Sequence, residues 1–509
     1  MRRRRRTALI AAVVLVGVAA VVVGALLVFG GGGSSPSIAD RAAALVPADA
    51  LVYVHVSTDG DRGAVQAAER LAGSFDGYER LRDGILDRLS VGGGGRSAVS
   101  PWLGDEAALA LLGPRGQTAG SLVLLSVRDR SRAEAFVREG AWRQQWPSRT
   151  YQGVTLHRYG AVYAAFVGDF LVLGQRASVQ AAIDRQRGRG AALARDATYR
   201  KLHARLPGDR VADAYATADG LRRLLVPAGG ALGVAGVVLD RPNLRGTAVA
   251  LAAGDPGAVV TIAADVPGRT ARPLHPQLLG AVPKGALAYY GSRSLDQSAG
   301  RLLAAAGTSA LGQLIERGRR ALGGVGARSV QRDLLGLLQK ETAVVLLPGV
   351  PAPTLLVMAP VEDEARTRAA LARLSATLPK LLPGGKISTE AGGVTKVTSD
   401  QAELDAAVVD GKLVLATGMA GIEAARHPGG GIEDAGAFRA AVPDASGGDV
   451  TSLIFLDFSQ LLRLAEQTGL DDSRAYLAVK DDLARVKAVG VRSTGEGEDT
   501  TSEIRFQIP

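Results

Sequence analysis

Residues 45–54 read LVPADALVYV, and residues 281–290 read AVPKGALAYY. Pro47 and Pro283 align, and the match resumes further along. Gly153-Val154-Thr155 recurs as Gly393-Val394-Thr395, and VGDFLVL at 167–173 recurs as VDGKLVL at 409–415. Both stretches close on an aliphatic residue and proline, at Pro267 and Pro509. Self-similarity at a long fixed offset marks a repeated structural unit. The expectation is one fold built twice, over 41–267 and 277–509, joined by the short link 268–276 (GRTARPLHP). Features kept in both copies build the fold. Features in one copy are free to serve function.

Each copy reads in the same order. An opening strand, Leu51–Val56 or Leu287–Tyr290, follows the proline. Helical segments come next, with Leu81, Ile85 and Leu89 on one face in copy one and Leu311, Ile315 and Leu322 in copy two. Two apolar strands lead to a helix that Asp129 or Asp363 is placed to cap. A further strand pair turns at Gly168-Asp169 or Asp410-Gly411. A short helix, a helix capped by Asp196 or Asp434, another strand, a helix near Leu221 or Leu461 and a closing hairpin complete the unit. Strand pairs joined by tight turns, with helices between the runs, predict α+β units, each a mostly antiparallel sheet covered on one face by helices.

The chain starts MRRRRRT and continues without charge or proline from Ala8 to Phe29. Those 22 residues would span about 33 Å as a helix, against a hydrocarbon core of about 30 Å. The reading is a basic cytoplasmic segment 1–7, a single-pass plasma-membrane anchor 8–29, a Gly/Ser tether 30–40 (GGGGSSPS at 30–37) and an extracytoplasmic remainder. The competing reading is a cleaved signal peptide, whose apolar region is shorter. The absence of cysteine excludes disulfides, thiolate metal sites and cysteine nucleophiles. Half of the formal +10 charge sits on Arg2 to Arg6, so the remainder is too dilute for a nucleic-acid footprint.

This arrangement resembles a bacterial family of membrane-anchored proteins catalogued as domain of unknown function thirty-three fifty-two. LVPADALVYVHV at 45–56 after an anchor, WLGDEAALAL at 102–111 and the GVT…VGDFLVLG block carry the resemblance. It implies fold and location, and brings no activity with it.

Candidate chemistry is sparse. Asp105-Glu106 and Glu341 precede matching strands in the two copies, and read as surface turn acids or partners of a nearby arginine, with a desolvated general acid or base as the alternative. The five histidines, His55, His157, His203, His275 and His427, have no histidine counterpart in the other copy; His55 aligns with Gly291 and His157 with Val397. There is no H-E-x-x-H, no close His/Asp/Glu cluster of metal-ligand spacing and no G-x-S-x-G. GGGGRS at 92–97 lacks the lysine and spacing of a phosphate loop and reads as a connector. Trp142 and Trp146, one helical turn apart, read as packing residues, with a ligand groove or membrane interface as the alternative. The basic runs DRQRGRG (184–190) and ERGRR (316–320) read as solvated faces, with anionic lipid or wall-polymer phosphate as the alternative.

The sequence thus assigns no catalytic, cofactor-binding or metal-ligating residue. The function expected is a non-enzymatic binding or scaffold module of the cell envelope. Its expected partners are the bilayer through 8–29 and an envelope polymer, lipid or protein, with no nucleic acid. The alternatives are a carrier or chaperone for an apolar ligand such as a lipid, and a hydrolase with an unrecognised site.

Overall fold

The computed structural model describes residues 40–75, 99–115, 118–139, 148–225, 243–254, 256–268, 272–293, 338, 340–350, 352–381, 384–399, 403–467, 474–477 and 479–509. Several expectations lie outside these residues. They are the anchor 8–29 and most of the tether, the two helices placed on Leu81 and Leu311, the GGGGRS connector, Trp142 and Trp146, and the run 316–320. Two compact units form, with the boundary between 269 and 270 and with 498–501 belonging to the first.

In the first unit the strands are β1 (Ala50–Ser57), β2 (Leu103–Arg115), β3 (Thr118–Val127), β4 (Arg149–Tyr151), β5 (Val154–Tyr159), β6 (Val162–Val167), β7 (Phe170–Gly174), β8 (Ala212–Thr217), β9 (Gly246–Gly254) and β10 (Gly257–Asp265). They lie side by side in the order β4-β5-β6-β7-β3-β2-β1-β8-β9-β10, every pair antiparallel. The helices that matter here are α1 (Gly63–Gly73), α2 (Arg130–Glu139), α3 (Arg176–Gln186) and α4 (Ala197–His203).

In the second unit the strands are β11 (Ala288–Arg293), β12 (Glu341–Leu347), β13 (Thr354–Pro360), β14 (Lys386–Glu390), β15 (Val394–Thr398), β16 (Glu403–Val409), β17 (Lys412–Ala416), β18 (Val450–Leu456), β19 (Ala488–Glu496) and β20 (Asp499–Gln507). Their order is β14-β15-β16-β17-β13-β12-β11-β18-β19-β20. This is the order of the first unit, strand for strand. The helices that matter here are α5 (Glu364–Leu381), α6 (Met419–Arg426), α7 (Gly436–Ala441) and α8 (Phe458–Gln467).

Local signals act where the sequence places them. Asp129 Oδ1 accepts from the Arg132 amide at 3.0 Å, and Asp363 Oδ1 from the Arg366 amide at 2.9 Å, which starts α2 and α5. Gly168 (φ 56°), Asp410 (φ 46°) and Gly411 (φ 71°) adopt the left-handed backbone that two-residue hairpins require. Strands β4 and β14, which are polar apart from Tyr151 and the exposed Ile387, show no apolar pattern and were not anticipated.

Two expectations are corrected. The sheet is not covered on one face only. Strands β6 and β7 bury Ala165 and Val172 with Val179, Ala182 and Ile183 of α3, and bury Ala164 and Leu171 with Ala133 and Val137 of α2. The second unit repeats this, with Ala407 and Val414 in a core shared with Ile422 of α6, and Ala406 and Leu413 packed with Leu371 of α5. The strands read as nearly continuous apolar runs rather than alternating ones, because both faces are buried. Asp434 is not the counterpart of Asp196. Asp196 caps α4 through the Tyr199 amide at 2.8 Å, but α7 starts after Ala435, which makes no side-chain cap.

Candidate functional site

A short segment crosses the start of each unit. In the first unit it is a 3-10 turn, Ala42–Ala44, continuing to Pro47; in the second it is Leu279–Ala281, continuing to Pro283. Both straps are tied down by the same main-chain bonds. Leu193 N donates to Val46 O at 2.8 Å, and Ile432 N donates to Val282 O at 2.8 Å. Pro47 bridges Ala192, and Pro283 bridges Gly431.

The repeated glutamates hold the starts of these straps. Glu106 Oε2 accepts the Arg41 and Ala42 amides at 2.9 and 3.2 Å. Glu341 accepts the Gln277 and Leu278 amides at 2.7 and 3.1 Å. Each carboxylate therefore satisfies orphan donors at a helix-like N-terminus. Both lie within strands and are buried, at 0% and 5% exposure, so the surface-acid reading is corrected. Burial pushes the Glu341 pKa up, against the two amides that hold it down.

An aromatic frame is also repeated. Tyr53 meets Tyr199, and Tyr199 meets Tyr215, in edge contacts with centroids 6.0 and 5.3 Å apart. Tyr289, Phe438 and Phe455 do the same at 6.1 and 5.5 Å. Strand register sets the equivalence. Tyr53 faces Ala110 and Tyr215, and Tyr289 faces Val345 and Phe455.

Around this frame the first unit carries charge that the second lacks. His55, two residues beyond Tyr53, points to the same face. It is fully buried, with Nε2 3.3 Å from Glu106 Oε2 and Nδ1 3.5 Å from Asp213 Oδ1. The second contact is an ion-pair distance rather than a well-made hydrogen bond, since Nδ1 has no hydrogen-bond partner. Asp213 accepts from Arg210 Nε at 2.8 Å. Arg210 Nη2 lies 2.7 Å from His203 Nε2, which is itself 3.6 Å from Asp213 and 3.7 Å from Asp40. Asp40 accepts from the Tyr53 hydroxyl at 2.5 Å and from the Tyr199 hydroxyl. Arg41 Nε donates to Glu106 at 2.6 Å, and its Nη2 to Asp105 at 2.5 Å.

The electrostatics follow from this packing. Burial alone would lower the His55 pKa, but Asp40, Asp213 and Glu106 outweigh it and raise it to about 10. Burial alone would raise the Asp213 pKa, but His55, Arg210 and His203 hold it down to about 2. Burial pulls His203 below the ordinary imidazole value, and Arg210 adds to that against Asp213. Burial, followed by Asp40, pushes both Tyr53 and Tyr199 well up, so they stay hydrogen-bond donors. The carboxylates of Asp40, Glu106 and Asp213 thus face the guanidiniums of Arg41 and Arg210 and the imidazolium of His55, with Asp105 as a further, half-exposed partner of Arg41.

Two donor triads in this cluster have the spacing of a cation site: Asp40, His203 and Asp213, and Asp40, His55 and Glu106. The donor set does not suit one. The Arg210 N–H is aimed at His203 Nε2, the two phenols occupy Asp40, and His55 holds a proton. A metal ligand must present a free lone pair.

The sequence shows no His/Asp/Glu cluster of metal-ligand spacing and no histidine common to both copies. The structure brings His55, His203 and Glu106, distant in sequence, together with Asp40, Arg41, Arg210 and Asp213. His157 on β5, and the exposed His275 and His427, lie elsewhere. The 184–190 run is partly tied to main chain, with Arg185 donating to Ala191 O and Arg187 to Gln152 O.

The family model described as "Protein of unknown function (DUF3352)" matches residues 8–508. The chain belongs to this family. Among solved structures, the DUF3352 chain is similar to crystal form I of TP0453, with 11% identity, 46% of this chain and 82% of that chain covered, and a TM-score of 0.29. Crystal form III of TP0453 gives 10% identity, 45% and 81% coverage and a TM-score of 0.27. No curated protein matches. Among the described residues no helix is long and apolar enough to cross a membrane.

Proposed function

We propose that this is a membrane-anchored, extracytoplasmic binding module in which the first unit carries the working site and the second is its structural duplicate. One observation supports this most. The frame of Tyr53, Tyr199 and Tyr215 recurs as Tyr289, Phe438 and Phe455, while the charged positions other than Glu106, kept as Glu341, become neutral. By register His55 corresponds to Gly291 and Asp213 to Leu453; by helix position His203 corresponds to Val442. The second unit thus builds the same frame without the histidines and their partners. Buried charge that a fold does not need is costly, so function is the reason to keep it.

On this reading an anchor at 8–29 and a tether at 30–40 attach the first unit to the membrane through the segment that carries Asp40, with the N-terminus cytoplasmic. Charged replacements of Leu26 and Leu27 should release the protein from membranes or block export. A mature N-terminus near Asp40 on the native protein would contradict the anchor.

The binding reading is tested with a charge-free variant: Asp40→Asn, His55→Leu, His203→Leu, Arg210→Met and Asp213→Leu. Native and variant full-length proteins are purified from membranes, and co-purifying molecules are compared by mass spectrometry. A molecule retained by the native protein and lost from an equally stable variant supports the reading. Identical sets overturn it. Two histidines among three buried carboxylates also favour a second reading, a hydrolase with an unfamiliar site; turnover by the native protein, lost in the variant, would select it.

A further inference from the structure

We infer that the first unit contains a carboxylate-binding site, formed by the Tyr53 and Tyr199 hydroxyls with His55 and His203 behind them, and that Asp40 on the strap fills it as a built-in occupant that a carboxylate-bearing ligand displaces. This rests on the binding reading above and names its ligand class.

Asp40 is held as a ligand would be. Its two oxygens each accept one phenol, Oδ1 from Tyr53 and Oδ2 from Tyr199. Oδ1 also accepts the Ala43 amide at 3.2 Å, and His203 Nε2 stands 3.7 Å from Oδ2. The phenols come from β1 and α4, far from Asp40 in sequence, so the pocket belongs to the body of the unit and the occupant to its N-terminal segment. Without the occupant, the Tyr53 and Tyr199 hydroxyls lose the acceptor they share. A carboxylate again offers one oxygen to each phenol, and a cationic ligand offers none.

The second unit supplies the comparison. Pro276 stands where Asp40 would, and the buried Tyr289 hydroxyl, the counterpart of Tyr53, has no hydrogen-bond partner. This hydroxyl also lies against Gly291, in the space that the His55 side chain fills in the first unit.

The strap is also built to lift. It buries Ala42 and Ala43, where the second strap buries Leu278 and Leu279. Each alanine contributes three fewer carbons to apolar burial. Besides the amide and main-chain bonds that both straps share, and its buried Leu45 and Val46, the first strap is held by its own charged side chains, Asp40 and Arg41. Those charge-held contacts can be exchanged for those of a ligand of like charge.

The test uses the full-length protein in detergent, carrying Asp40→Ala, with sodium acetate as probe and sodium chloride at equal ionic strength as control. Amide exchange of the 40–48 segment and thermal stability are the readouts. Asp40→Ala should speed exchange of this segment at least tenfold, and acetate should slow it again in a saturable manner. Chloride should not act, and Tyr53→Phe with Tyr199→Phe in the same background should abolish the response. Native protein should be indifferent to acetate, because its site is filled. An acetate effect no larger than that of chloride, or one that survives loss of both phenols, overturns the inference. If Asp40→Ala does not fold, Asp40→Asn is measured with the same criteria. The binding reading is judged separately by co-purification, so either can fail alone.

Discussion

His55 and Asp213 face each other across β1 and β8, with Nδ1 3.5 Å from Oδ1, both fully out of solvent. The same pair of positions in the second unit holds Gly291 opposite Leu453. One register thus carries a buried ion pair in one unit and an apolar contact in the other. The predictions below exploit that difference.

The imidazolium makes the first unit sensitive to alkali. The folded His55 pKa is about 10 against an ordinary 6.5. A raised folded pKa contributes stability that is complete below pH 6.5 and lost as pH rises through about 10. Denaturant midpoints should fall across that window by the equivalent of a few kcal/mol. His55→Leu, placed in the charge-free variant, should flatten the slope between pH 7 and 10. An unchanged slope would contradict the assignment.

Removing one charge should hurt more than removing the group. Asp213→Leu alone strands His55 and Arg210 and should cost about 3–5 kcal/mol. The five-residue charge-free variant should be near neutral or more stable, because buried ion clusters replaced together by apolar residues recover their desolvation cost. Urea titration of both proteins checks this; equal losses would mean that the charges hold the fold.

The two glutamates should be structural in both units. Glu341→Ala orphans the Gln277 and Leu278 amides, at about 1–3 kcal/mol for each buried donor left unpaired. Glu106→Ala should cost at least as much, since Arg41 and His55 each lose one of their partners as well. Glu→Gln should recover part of the loss at both sites, read as the urea midpoint. A loss below about 0.5 kcal/mol would be the surface behaviour that burial rules out.

Leu171 and Leu413 occupy equivalent places in β7 and β17, each 1% exposed. Leu171→Ala and Leu413→Ala should each cost about 2–5 kcal/mol through cavity formation. Similar losses are expected because α2 and α5 cover them in the same way. A mild effect at one site alone would show that the cores differ.

What the sequence determined by itself is what depends on near neighbours. Gly168-Asp169 and Asp410-Gly411 turn, and Asp129 and Asp363 cap, because turn and cap chemistry involves only residues within one helical turn. The repeat of LVPADALVYV revealed the recurring order of elements, since each recurring segment carries its own periodicity. It also showed His55 standing alone against Gly291, a sign of difference without a meaning attached. Tertiary structure decided the rest. Glu106 accepts amides 64 and 65 residues away, and Asp40 meets Tyr199 across 159 residues. No local pattern encodes such distances; only the strand order β2-β1-β8, with α4 laid over it, brings them together. Burial of both sheet faces likewise followed from which helices packed where. The same long-range packing turned unremarkable acids and histidines into one cluster of paired charges, because their charge states depend on neighbours that the sequence does not place side by side.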